Sequence, residues 1–493
     1  MDMGLNYIAG RWQPAAGGST REVVDPAIGR AFALVTDSDA SDARAAIAAA
    51  RQAFYGDGAW RRMPSARRAE VLLRIADLIR SRADALARLD CRDNGKPLRE
   101  ARGDVDDAAA CFRYYAGLIG APQGGVYEVT DAFGPMHAFS MHEPVGVCAL
   151  ITPWNYPLLM AAWKLAPSLA AGNAVVFKPS ELTPLSAVAL FEIFEQAGLP
   201  PGTANLVLGT GPAVGAELAA SHDVDMLTFT GSTPTGQAIA RAAIGNLKKL
   251  GLELGGKSPN IVFADADLEG AVEWAMVGVF FNQGQVCSAG ARILVESSIK
   301  DRFVERLAQR ARAMTIGRGL DDPDMGAMVS EAQLQKVLGF VDRALGAGAR
   351  LVCGGRRHVA GECAQGFFMQ PTILDQVTPD MEIVREEVFG PVASIQAFTN
   401  EAEAIAMAND TRYGLAGGVF TTDGARALRV VKELRAGVTW INCYNPTFNE
   451  APWGGYKMSG YGRDLGVNGL LEYQQVKQVS TNLRPGPPGW YTR

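Results

Sequence analysis

Short apolar runs, many β-branched, recur at residues 145–152, 174–178, 205–208, 225–230 and 250–254, each of strand length and separated by stretches of helical composition. Alternation of this kind predicts βαβ units and a parallel sheet. A second series follows at 260–263, 293–295, 393–398, 418–420 and 438–442, with helical stretches at 299–314 and 334–345. The layout predicts two α/β domains in series. Upstream, residues 70–90 space Val71, Ile75, Leu78, Ile79, Leu86 and Leu89 near a 3.6-residue period, which predicts helix packed on the first domain. Residues 120–142 break that rhythm with Gly124, Gly125, Gly134 and Pro135 and read as a β-hairpin, while the tail after Gly469 reads as extended. Two projecting strand segments without a core of their own fit an assembly surface or a plain surface hairpin equally well.

Residues 144–163 carry no charge over a length that would span a bilayer. Pro153, Asn155 and Pro157 fall in the middle, where they remove helical hydrogen bonds and place an amide at the bilayer centre. The stretch therefore reads as a buried strand running into a turn. Charge adds little: 47 Lys and Arg against 52 Asp and Glu leave −5, with 48% hydrophobic residues. That balance fits a compact protein with no call for nucleic acid or an anionic membrane surface. Seven Cys and four His in 493 residues, with no C-x-x-C pair, give neither a disulfide framework nor a metal centre. The first residues lack a secretory or transit pattern, so the expected location is cytoplasmic.

Several positions carry candidate chemistry. Gly209, Gly211 and Gly215 follow a strand as a phosphate loop would, but the third glycine comes one place late for G-x-G-x-x-G. At Gly231 and Ser232 a strand meets a helix start whose free N–H groups suit a pyrophosphate, or where Ser232 is simply the cap. Lys178 and Glu181 stand after a parallel strand, where they reach a ribose or form an exposed ion pair. Cys287, among small and polar residues, is either an accessible nucleophile or one more inert thiol. Glu253 lies between leucines, a setting that raises a carboxyl pKa and suits a general base, although an edge-strand acid reads the same way. Asn155, in a Pro-bounded turn, can donate to an oxyanion or serve ordinary turn chemistry.

Taken in order, TPWNYP at Thr152, KPSE at Lys178, FTGS at Phe229, LELGGK at Leu252, GQVCSA at Gly284, EEVFGP at Glu386 and PWGGYKMSGYGRDLG at Pro452 resemble the NAD(P)-dependent aldehyde dehydrogenases over essentially the whole chain. The resemblance implies an α/β fold of two domains with parallel sheets, the cofactor domain a variant Rossmann, plus a small β extension for oligomerisation. It divides the chain into an NAD-binding domain at 1–122 and 143–252, a catalytic domain at 253–445, and oligomerisation segments at 123–142 and 468–493. It implies Cys287 as nucleophile, Glu253 as deacylation base and Asn155 with the Cys287 N–H as oxyanion hole. Trp154, Lys178, Glu181, Gly231, Ser232, Glu387 and Phe389 fall to the cofactor NAD, and no metal is implied.

Within the family the chain most resembles the betaine aldehyde and aminoaldehyde dehydrogenases. That likeness implies Tyr156, Trp163 and Trp453 as π faces for an ammonium group. It implies Asp104 and Asp107, three apart on one helix face, as acids at a solvated channel mouth, with Phe281 in the same channel. Phe281 and Gly103 stand where relatives often carry larger aromatics, which loosens the pocket. The expected reaction is NAD-dependent oxidation of an aldehyde to an acid in a homodimer or homotetramer. Its rivals are a broad-range aldehyde dehydrogenase, a CoA-acylating dehydrogenase, against which Glu253 argues, and a non-catalytic NAD-binding protein.

Overall fold

The computed structural model describes residues 3–121, 124–131, 134–487 and 490–491. Five of the expected runs form the parallel centre of an eight-stranded sheet, in the spatial order Lys249–Glu253, Met226–Thr230, Val147–Ile151, Ala174–Lys178 and Ala204–Leu206. All but the partly covered Lys249–Glu253 are buried throughout, as a sheet covered on both faces requires. Chain order reverses between Val147–Ile151 and Met226–Thr230, and such a reversal leaves a crevice at the carboxyl ends of the strands. Gly460–Tyr461 closes one edge against Lys249–Glu253, and the N-terminal hairpin Asn6–Ile8 and Arg11–Gln13 closes the other. These edge strands are too short to leave a periodic signature.

The second series forms a seven-stranded sheet, parallel except for its edge strand Arg350–Cys353. Its middle strands Val392–Phe398, Arg292–Glu296, Pro259–Val262 and Ala416–Phe420 are paired side by side. The chain crosses from one sheet to the other between Glu253 and Pro259.

Residues 70–90 are helical as expected, divided between Ser65–Ser81 and Ala83–Asn94. The break falls at Arg82, whose backbone leaves the helical region, beside a Ser81 hydroxyl that donates back to the Leu78 carbonyl. The tail after Gly469 is likewise helical at first, Gly466–Glu472, before turning into the strand Gln474–Asn482. That strand pairs antiparallel with Gly134–Pro144, which pairs with Val126–Asp131. The expected boundary at 122–123 and the last residues of the segment 468–493 lie outside the described residues. Residues 144–163 give the strand Val147–Ile151, a turn, and the start of the buried helix Pro157–Ala171, with Pro157 in the first turn, where a missing N–H costs nothing. Among the described residues no helix is long and apolar enough to cross a membrane.

Candidate active site

A cavity of about 1150 Å³ opens at that crevice and reaches the second sheet's domain. It gathers the candidates singled out above except Lys178, Glu181 and the loop glycines Gly209, Gly211 and Gly215. Three successive strand ends build one wall: Trp154 and Asn155 follow Val147–Ile151, Gly231 and Ser232 follow Met226–Thr230, and Glu253 ends Lys249–Glu253. Cys287, from the turn after helix Leu268–Phe280, and Glu387 with Phe389 complete the lining.

Cys287 is only partly covered, and burial pushes its thiol up to about 12, the Glu387 and Glu253 carboxyls adding to the shift. The residues before it are unusual. Asn282, Gln283 and Gly284 all have left-handed backbone, with φ of 48°, 57° and 68°. For a non-glycine residue this costs roughly 1–2 kcal/mol. Gly284 also meets the Gly390 carbonyl so closely that a Cβ would overlap it.

Asn155 sits in the turn before helix Pro157–Ala171. Its Nδ2 donates to the Gln285 carbonyl at 2.9 Å, which spends one amide hydrogen and leaves the second for the cavity. Its own carbonyl accepts from Asn282 Nδ2 at 2.9 Å. The Glu253 carboxyl is buried with neither oxygen hydrogen-bonded. Burial holds its pKa well above the ordinary value, Asp464 pushes the same way, and Lys164 and Arg463 oppose. Lys164 and Asp464 form a buried ion pair at 3.0 Å. Neither was singled out in the sequence, where the one lysine in an apolar 15-residue helix was the available signal.

On the cofactor side, Ser232 does cap helix Thr233–Ala242, accepting from the Thr235 N–H. The Trp154 and Phe389 rings meet edge to face at 5.1 Å. Phe389 has a positive φ of 59°, and its carbonyl accepts from Gln333 Nε2 at 2.8 Å. Glu387 accepts from the Gly256 N–H, and burial pushes it up to about 7. Lys178 is buried and bonds Glu181 at 3.3 Å, so the pair is not the exposed ion pair of the solvated-loop reading. Glu181 faces a separate small depression that also holds Arg21 and Asp37. Residues 211–215 form one helical turn capped by Thr210 beside Lys178.

Two expectations need correction. Asp104 is not a solvated acid at the mouth: it is 5% exposed and bonds Lys96 Nζ at 2.5 Å. Asp107 is the exposed member of the pair. The same Lys96, fully buried, lies 4.1 Å from the centre of the Tyr156 ring, so one face of that ring already holds a cation. Spacing shows that two acids share a helix face, but not that a lysine eight residues earlier turns back to meet one of them. Trp163 and Trp453 remain in contact on the wall, their rings 5.7 Å apart. Among the described residues no group of three or more His, Cys, Asp or Glu could hold a metal ion.

The profile of the aldehyde dehydrogenase family matches residues 12–479. Betaine aldehyde dehydrogenase of Bacillus subtilis (strain 168) is 48% identical over 486 residues, 98% of this chain and 99% of that protein. Aminoaldehyde dehydrogenase 2 of Zea mays is 46% identical over 492 residues, 98% and 96% of the two chains. A crystal structure of betaine aldehyde dehydrogenase from Staphylococcus aureus in complex with NAD+ superposes with a TM-score of 0.97 at 43% identity, covering 99% of this chain and 97% of that one.

Proposed function

The chain belongs to the aldehyde dehydrogenase family and is an NAD-dependent aldehyde dehydrogenase, and from that premise we propose that it oxidises a betaine aldehyde or an ω-aminoaldehyde through a covalent adduct on Cys287. The observation that carries the mechanism is the convergence of Cys287, Asn155 and Glu253 on one cavity from three separate elements.

The residues present fit the cofactor. Gly231 and Ser232 offer a helix start at a chain-order reversal, Thr230 Oγ1 is buried without a partner on the cavity wall, and the Trp154 and Phe389 rings line the same side. Glu181 and Lys178 would hold the ribose, and Glu387 with Phe389 the nicotinamide end. Bound NAD supplies the acceptor for the hydride that leaves the substrate carbon.

Cys287 gives its proton to solvent and forms the S–C bond as the thiolate, the C=O π bond breaking to leave the oxyanion. Asn155 Nδ2 and the Cys287 backbone N–H hold the oxyanion of the thiohemiacetal, whose collapse with loss of hydride leaves a thioester. Glu253, kept basic by burial, takes the proton of the water that cleaves the thioester, freeing the acid and the thiol. Cys287→Ala should bind NAD yet show no aldehyde-dependent NADH formation, and appreciable turnover would overturn the assignment.

The substrate class rests on the close likeness to betaine aldehyde and aminoaldehyde dehydrogenases and on the Trp163 and Trp453 faces. A broad-range aldehyde dehydrogenase is the second reading, favoured by the Lys96 cation that already occupies Tyr156 and neutralises Asp104. We read the protein as a cytoplasmic homodimer or homotetramer. Its seven free thiols support the location, and a three-stranded sheet exposing Val126 (70%) and Val476 (66%) supports the assembly.

A further inference from the structure

The left-handed turn at residues 282–284 needs something to hold it. Glycine takes this conformation freely and asparagine tolerates it, but Gln283 does not, so the turn persists only because its surroundings impose it. From within, Gln285 braces it: its backbone N–H donates to the Asn282 carbonyl at 3.0 Å, and its Oε1 accepts from the Val329 N–H at 3.0 Å. From outside, a glutamate reaches the backbone N–H of the turn's first residue. Glu100 Oε2 accepts the Asn282 backbone N–H at 3.0 Å.

Glu100 comes from helix Leu98–Leu118, far from the turn in sequence, and its carboxyl is buried in the cavity wall. Burial pushes the Glu100 carboxyl up to about 8, and Oε2 can accept the Asn282 N–H whether or not the group is ionised. The bond does not end at Asn282. Asn282 Nδ2 donates to the Asn155 carbonyl, and Asn155 Nδ2 donates to the Gln285 carbonyl, two residues before the thiol. The chain of bonds closes on itself, so the thiol-bearing turn and the oxyanion amide cannot shift independently while Asn282 stays pinned.

We propose that Glu100 is a positioning residue for aldehyde oxidation, anchoring the left-handed turn through the Asn282 N–H and thereby setting Cys287 against Asn155. The proposal rests on the reading of Cys287 as nucleophile and Asn155 as oxyanion donor. Glu100 touches neither reacting atom. Its effect belongs on the rate of the covalent step, and it should not depend on whether the aldehyde carries a charge.

The test uses the full chain with saturating NAD and two aldehydes of similar length, one cationic and one uncharged. Glu100→Ala should lower kcat by ~10²-fold for both, the scale expected of a misplacement near 1 Å, with KM for both little changed. Glu100→Gln keeps an acceptor oxygen at the same reach and should restore most of kcat, whereas Glu100→Asp keeps the carboxyl, falls short of Asn282 and should not. NAD binding and the melting curve show whether each variant is folded; if Glu100→Ala is not, the Gln and Asp variants carry the comparison. The proposal is overturned if kcat is unchanged in Glu100→Ala or Glu100→Asp, if KM rises for the cationic aldehyde alone, or if Gln is as damaging as Ala. Turnover by Cys287→Ala would instead remove the reading beneath it.

Discussion

Lys96 Nζ stands 4.1 Å from the centre of the Tyr156 ring while bonding Asp104 at 2.5 Å. A cation over an aromatic face is favourable, and a second one cannot use the same face. An ammonium group entering the cavity meets Trp163, Trp453 and Phe281 on its wall, and its attraction to Asp104 is already answered by Lys96.

Selectivity for charged aldehydes should consequently hinge on the tryptophans. Trp453→Leu keeps an apolar wall and removes the quadrupole, so kcat/KM for betaine aldehyde should fall by roughly 5- to 30-fold, the equivalent of ~1–2 kcal/mol for a desolvated contact. An uncharged aliphatic aldehyde should lose much less. Equal losses would make the tryptophans mere packing and leave the broad-range reading in place.

The two aspartates should behave differently. Asp104→Asn leaves a fully buried lysine without its counterion and should destabilise the fold by ~3 kcal/mol or more, seen as a lower denaturation midpoint at any salt concentration. Asp107→Asn should leave stability nearly unchanged and weaken only the affinity for cationic aldehydes, an effect that fades with added salt. A salt-dependent binding defect in Asp104→Asn with normal stability would contradict the pairing.

Glu253 offers a test with opposite signs. As general base it must be deprotonated, so activity should rise with pH through a value well above the ordinary carboxylate range, and Glu253→Gln should lower kcat by ~10²–10⁴. The same carboxylate disfavours the Cys287 thiolate, so removing its charge should lower the thiol pKa. At a pH high enough to ionise Glu253, iodoacetamide should then alkylate Cys287 faster in Glu253→Gln than in the unmutated enzyme. A slower reaction would show that Glu253 activates the thiol more than it repels the thiolate.

Cofactor preference should turn on Glu181. A carboxylate meeting the ribose hydroxyls repels a 2′-phosphate, so NAD should exceed NADP in kcat/KM and Glu181→Gln should narrow the gap. Lys178, already bonded to Glu181, and Arg21, bonded to Asp37 beside it, limit the preference to a modest one. Equal kcat/KM for both cofactors in the unmutated enzyme would count against this assignment.

Most of the parallel strands were legible because burial on both faces makes them continuous apolar runs; Ala174–Lys178 and Met226–Thr230 are examples. Cys287, Glu253 and Asn155 stood out as candidates through their small, leucine and proline neighbours, their roles came from the family resemblance alone, and the structure adds that all three line one cavity. Lys96 and Glu100 were not. Both lie in a polar stretch that looks solvated in one dimension, and only the return of helix Leu98–Leu118 across Tyr156 and Asn282 buries them. The edge strands Gly460–Tyr461 and Arg11–Gln13 also escaped notice, because two or three residues leave no period to read.

The pairing of Gln474–Asn482 with Gly134–Pro144 sets a timetable for biosynthesis. Lys477 and its partner Glu143 are 334 residues apart, so at ~5–20 residues per second the ribosome takes roughly 20–70 s to deliver the second strand after the first has emerged. Throughout that interval one edge of Gly134–Pro144 presents unpaired N–H and C=O groups to every neighbouring nascent chain. Yield during overexpression should therefore respond to growth temperature and chaperone supply, and a stop codon ahead of Gln474 should turn a transient open edge into a permanent one.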